Sequence, residues 1–233
     1  MQDEDKINGL AVPDSFPSQS YEATKTILLP YRQTNPEELS HFNGAWNAMF
    51  YRYISFLQND ELFRLSLRRH GSTPVPEQRY IQENALFCFF SAGFSMVESG
   101  CYALYAIASI IDHKHFPVSQ KHLRTISPPK VYDQFQKRYP DEEVIGVLKV
   151  MTENKYREFK EIRNTLTHRT SPGRIIHLRS GEGPGHDRVI WRLTNSELNE
   201  STTESWKLWL IELINDFTDA TATFSQRHLV DSP

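Results

Sequence analysis

Cysteine is nearly absent: Cys88 and Cys101 are the only two in 233 residues. Both fall in one helical pattern, and thirteen residues of helix set them roughly 20 Å apart. A disulfide needs Cα atoms within about 7 Å, so the two cannot pair within one chain. A disulfide-stapled scaffold is thereby excluded, and a reducing, cytoplasmic compartment is the expectation. A charge excess is missing too: 26 Lys and Arg stand against 29 Asp and Glu, a net charge of -3. No global basic field points to nucleic acid. No apolar run follows the acidic start "MQDEDK", so no signal peptide is visible. No internal repeat is found. The glycine-rich "GEGPG" precedes no helix and no Gly-Lys-Ser/Thr, so it reads as a hairpin tip rather than a phosphate loop.

Aromatic side chains are plentiful. The chain holds 14 Phe, 10 Tyr and 4 Trp, enough for a sizeable core. Residues 1–34 are rich in Pro, Ser and Thr with little periodicity, and read as an irregular N-terminal arm. "TNPEEL" is a helix start, with Asn35 as N-cap, Pro36 at the first helical position and two acids in the first turn. That helix reaches about His70, where "HGSTPVP" stops it. The next begins at "PEQRY". Between Ala85 and Ile111 its one ordinary acid or base is Glu98. Such a run is long enough to span a membrane. Glu98 near the midpoint and Ser91, Ser95 and Ser99 argue against that, and the central helix of a soluble bundle looks the same. No membrane is expected.

"SQKHLRTISPPKVYDQFQKRYP" is broken by Pro128 and Pro129 and reads as two short helical pieces. From Asp141 to Thr170 the pattern predicts one unbroken helix, with Val144, Leu148, Met151, Phe159, Ile162 and Leu166 on one stripe. Ser171-Pro172-Gly173 ends it. The period then changes to that of a β-hairpin, about 174–193. A last helix, from about Ser201 to Arg227, carries Trp206, Trp209, Leu210, Leu213 and Phe217 on one face. The fold class is all-α: a four- to five-helix bundle with a small β-hairpin inserted before the last helix, as a single domain over 35–229.

Chemistry concentrates in "EIRNTLTHRTSPG". From Lys155 to Arg179, seven Lys or Arg (155, 157, 160, 163, 169, 174, 179) face two acids, Glu158 and Glu161. Either a solvated basic face or an anion-binding one fits that excess. Asn164 and His168 are four apart and share a helix face. That face points nearly opposite to the apolar stripe, beside Arg157, Lys160 and Glu161. Arg163 lies at the border, where a long side chain can swing outward.

These residues resemble the HEPN-domain proteins, helical bundles marked by an Arg, four to six residues, then a His, often with a polar residue after the Arg. Here these are Arg163, Asn164 and His168, and the likeness covers about residues 76–227. The loose spacing recurs at Arg64 to His70 and at Arg179 to His186, but only the middle match has Asn after the Arg on a long amphipathic helix. The resemblance implies a metal-independent endoribonuclease with no cofactor. Its active site would form where two protomers bring their motifs together. The implied partners are RNA, a second copy of the chain and, for the toxins in the family, an antitoxin protein; other members serve antiviral defence. Arg163, Asn164 and His168 would be catalytic, and Arg157, Lys160, Arg169 and Arg174 would contact RNA. Glu98 is a candidate tether for Arg163, with a Ser or backbone contact the alternative. A non-catalytic bundle of the same type, binding RNA, a nucleotide or a protein, is the other reading.

The residue types suit that chemistry. RNA carries its own nucleophile, the 2′-hydroxyl. An imidazole can take its proton or protonate the leaving oxygen. A guanidinium can bind two phosphate oxygens at once. Asn164 could orient His168 or bind phosphate. A metal site is the weaker candidate: Asp112, His113, His115 and His122 cluster in sequence, but their spacing fits no standard zinc pattern. Cys101, in apolar surroundings, reads as a core residue.

Overall fold

The computed structural model describes residues 6–118, 124–168, 173–177 and 188–231. Among these described residues, seven α-helices and a three-stranded antiparallel sheet before the last helix make up most of the structure. They are α1 Ser18–Leu28, α2 Pro36–His70, α3 Pro76–Ile111, α4 Pro128–Arg138, α5 Val144–Val150, α6 Asn154–His168 and α7 Ser201–Leu229. The mostly helical class and the strand insertion stand as the sequence predicts. The chain divides into two compact units: residues 1–51, 96–153 and 211–233 form one, and 52–95 and 154–210 the other.

The N-terminal arm is the first correction. It is not irregular. Strands β1 (Lys6–Ile7) and β2 (Leu10–Ala11) pair antiparallel across Asn8 and Gly9, both at positive φ, as a tight hairpin turn requires. α1 follows, and a 3-10 turn at Leu29–Arg32 closes it. Tertiary contact in the first unit explains the order. Tyr21 stacks on Trp46 at 5.2 Å, its hydroxyl donates to Asn47 at 3.0 Å, and the Trp46 indole donates to the Tyr21 carbonyl at 3.2 Å. Propensity alone does not form so short a helix; burying an aromatic face does.

The long helices start and stop as read. α2 opens on Pro36 with Glu37 and Glu38 in its first turn, and Gly71, at φ 67°, takes the left-handed position past its end. α3 is long and apolar enough, by length and composition, to cross a membrane, yet 72% of its most apolar window is buried inside the protein. Pro128 and Pro129 do not break a helix; they begin α4, where a missing N–H costs nothing. The stretch from Asp141 to Thr170 is the second correction: it is two helices. Met151 to Glu153 form a turn, and the Thr152 hydroxyl bonds back to the Lys149 carbonyl at 2.8 Å. Met151 is buried against the Cys101 sulfur at 3.4 Å, in the first unit, whereas α6 belongs to the second.

The second unit packs the first part of α3 against α6, α7 and the sheet. Phe56, Phe89, Phe90, Phe159 and Trp191 are among its fully buried rings. Gly93 permits the close approach: a Cβ there would lie 2.9 Å from Leu210 Cδ1 and 2.9 Å from Phe159 Cζ. Asp60 is buried and satisfied by Thr203 at 2.6 Å and Lys207 at 2.7 Å. Strands β3 (Arg174–His177), β4 (Arg188–Trp191) and β5 (Ser196–Glu197) run in the order β3-β4-β5, with Arg174 opposite Trp191 and Ile176 opposite Val189. β4 is buried at Val189, Ile190 and Trp191; Ile175, Ile176 and His177 of β3 are exposed. The "GEGPG" tip lies outside the described residues.

Candidate functional site

α6 presents the motif. Tyr156, Phe159 and Ile162 are its buried positions, so the opposite face is solvent-facing by helical period alone. Arg157, Lys160 and His168 are exposed there, and Asn164 is half-buried. No carboxylate among the described residues pairs with Arg157, Lys160 or His168, so three potential cations stand unneutralised along one helix side. His168 also ends the helix.

Arg163 does not swing outward. Its guanidinium carbon lies 4.7 Å from the centroid of the Phe94 ring, and Phe94 in turn stacks on Tyr156 at 5.8 Å. Its Nε is buried without a hydrogen-bond partner. Its Nη1 donates to the Asn164 Oδ1 at 2.9 Å. Asn164 therefore reaches back to its neighbour in sequence and not forward to His168. The pair forms a fixed donor platform: an aromatic ring beneath the guanidinium, an amide at its side. Phe94 and Tyr156 were missed by the sequence reading. Phe94 lies on a different helix, and nothing local to "RNTLTH" points to it.

Arg174, read as an RNA contact, is turned inward. Its side chain is only 3% exposed, its Nε donates to Glu83 at 2.9 Å, and its Nη1 donates to the Ser72 carbonyl at 2.9 Å and to Gln82 at 2.8 Å. Its Nη2 lies 2.8 Å from the same Glu83 oxygen without hydrogen-bond geometry. Burial pushes this guanidinium below its usual value, and Glu83 opposes that. A buried cation costs too much to leave unpaired, so the strand is seated on α3 through this cluster. Arg169 lies outside the described residues. Glu98 is half-buried on α3, and Arg163 makes the contacts just described within its own unit.

The remaining candidates fall into place as structure. Arg64 is tied to Glu200 at 3.0 Å, and Arg179 and His186 lie outside the described residues. Asp112 accepts from His115 Nδ1 at 2.8 Å and from Arg138 Nε at 2.7 Å, while His113 Nδ1 lies 3.1 Å from Glu38. Its carboxylate is thus engaged by protein cations, and among the described residues no group of three metal-ligating side chains occurs. His122 lies outside them. Cys101 is fully buried, and burial first, then the charge of Glu98, pushes its thiol far above the usual range; it is no nucleophile.

No protein family, no curated protein and no solved structure was found to match this chain.

Proposed function

We propose that the chain is one half of a metal-independent endoribonuclease of HEPN type. The observation that carries this reading is the row of unpaired cations on α6, Arg157 and Lys160, leading to an exposed imidazole at His168 beside the Arg163–Asn164 pair. An RNA strand would lie along this row, its phosphates against Arg157 and Lys160. The Arg163 guanidinium and the Asn164 amide are held rigidly enough to receive a developing phosphorane charge. One His168 takes the 2′-hydroxyl proton. The O2′ attacks phosphorus, the P–O5′ bond breaks, and a second imidazole returns a proton to O5′. One chain supplies one exposed imidazole on this face, so acid and base together require two copies. RNA, and a second copy of this chain, are the partners of this reading; a protein that covers the face would act as an inhibitor.

The test is incubation of the pure protein with RNA in excess EDTA. Cleavage should proceed and leave a 2′,3′-cyclic phosphate or its hydrolysis product. Loss of activity in EDTA, with rescue by a divalent ion, would sink the metal-free route. One observation favours a second reading, a non-catalytic RNA-binding bundle: the Arg163 Nε is sealed against Phe94, which reduces the guanidinium's reach. RNA bound at the α6 face but left intact under all metal conditions would select it.

A further inference from the structure

Among the described residues, strand β3 pairs on one side, with β4. The Gly173 carbonyl accepts from the Arg192 N–H at 3.0 Å, one step beyond the Arg174–Trp191 register. Antiparallel ladders alternate, so Ile175 and His177 bond to β4, while the main-chain groups of Arg174 and Ile176 turn away from it. The other side of β4 agrees, since the Val189 carbonyl accepts from Leu198 at 2.8 Å. Among the described residues nothing hydrogen-bonds to those outward groups of Arg174 and Ile176. Ile175 is 42% exposed and Ile176 48%. Native sheets usually blunt such an edge with Lys, Pro or a bulge. Here two isoleucines occupy its centre, and the one permanent charge of the strand, Arg174, is turned inward onto Glu83.

We infer that β3 is the surface through which two copies of this chain join, edge to edge and antiparallel, into one continuous sheet. The inference rests on the ribonuclease reading, which needs a second motif. The unpaired cations of α6 repel their own copy, so the contact must lie off that face. β3 is the stretch next along the chain, and its one permanent charge, Arg174, is turned away from the surface onto Glu83. It begins six residues after His168, so at most about 22 Å of extended chain separates the two. A twofold axis at β3 therefore keeps both motif-bearing helix ends near it.

The geometry sets the register. Outward-facing residues must pair with outward-facing residues, and the one register that uses both of them on each strand sets Arg174 against Ile176 of the partner subunit, and Ile176 against the partner's Arg174. Ile175 then faces the partner's Ile175 on the axis, as a non-hydrogen-bonded pair with Cα atoms about 4.5 Å apart. The contact is small, so the pairing is weak and its population follows protein concentration.

The axis pair gives the experiment. In the full chain with Cys88→Ser, Ile175→Cys at about 100 μM should form a covalent dimer on mild oxidation, because its distance suits a disulfide. Tyr80→Cys, at an exposed aromatic position of α3, should not. Ile175→Lys sets like charges opposite each other and should be monomeric by light scattering where the wild type is dimeric, with unchanged far-ultraviolet dichroism. A poorly folded Ile175→Lys chain leaves the cross-link to decide. A wild type that stays monomeric at about 100 μM, a dimer that survives Ile175→Lys, or a cross-link at Tyr80→Cys in place of Ile175→Cys overturns the inference. RNA cleavage is read separately. A cleaving dimer joined elsewhere removes the strand pairing and leaves the nuclease reading. A dimer cross-linked at residue 175 that never cleaves does the reverse.

Discussion

Arg163 and His168 lie one and a half turns apart on the same helix, yet their side chains sit in different media. His168 is exposed at the helix end, and nothing in the described structure depends on it. Arg163 rests on the Phe94 ring at 4.7 Å with its Nε buried. The two alanine variants should therefore separate. His168→Ala should abolish RNA cleavage and shift stability by about 0.5 kcal/mol or less. Arg163→Ala should also abolish cleavage but cost about 1 kcal/mol, from the lost cation–π contact and stem packing. Urea unfolding beside an RNA assay measures both. Wild-type stability in Arg163→Ala would show that the contact with Phe94 contributes nothing. Wild-type cleavage by either variant would remove that residue from the proposed mechanism.

At the scale of elements, β3 is tied down by a single buried side chain. Arg174 joins β3 to Glu83, Gln82 and the Ser72 carbonyl, and the Glu83 side chain is 13% exposed. Removing the cation leaves a carboxylate nearly out of water with Arg79 alone nearby, at 3.9 Å. Arg174→Ala should cost about 3 kcal/mol, and Glu83→Gln in the same chain should recover part of it. A chemical-unfolding double-mutant cycle measures the coupling. Additive costs would show that the two side chains do not support each other. The split between α5 and α6 belongs to this scale as well. Apolar spacing continues through Met151, so the period conceals a turn that Thr152 and the buried Met151 make together.

For the whole molecule, charge is the informative quantity. The net value of -3 hides a local row of cations that have no carboxylate partners among the described residues. If RNA lies along that row, binding must weaken steeply with salt, because each neutralised phosphate releases counterions. Lys160→Ala should weaken binding uniformly across RNA sequences and reduce the log–log salt slope by about 0.7 per chain. Filter binding over a salt series reads the slope. An unchanged slope would take Lys160 off the RNA face.

Local rules determined much of this protein from its sequence. Prolines at Pro36 and Pro76 started the long helices, Gly71 followed the end of one, and a change of period announced the sheet. Helical spacing turned Arg157, Lys160 and His168 outward, because a period of 3.6 residues needs no knowledge of neighbours. Tertiary structure decided which side chains meet. Glu83 is 91 residues from Arg174, and Phe94 is on another helix than Arg163, so no local pattern could take Arg174 off the surface or set Arg163 on a ring. The arm looked irregular for the same reason: α1 owes its order to Trp46, which enters only when the chain folds back on it. Short-range sterics and solvation fix an element and the direction of its faces. The partner that covers a face is fixed by long-range packing, and that choice exists only in the folded chain.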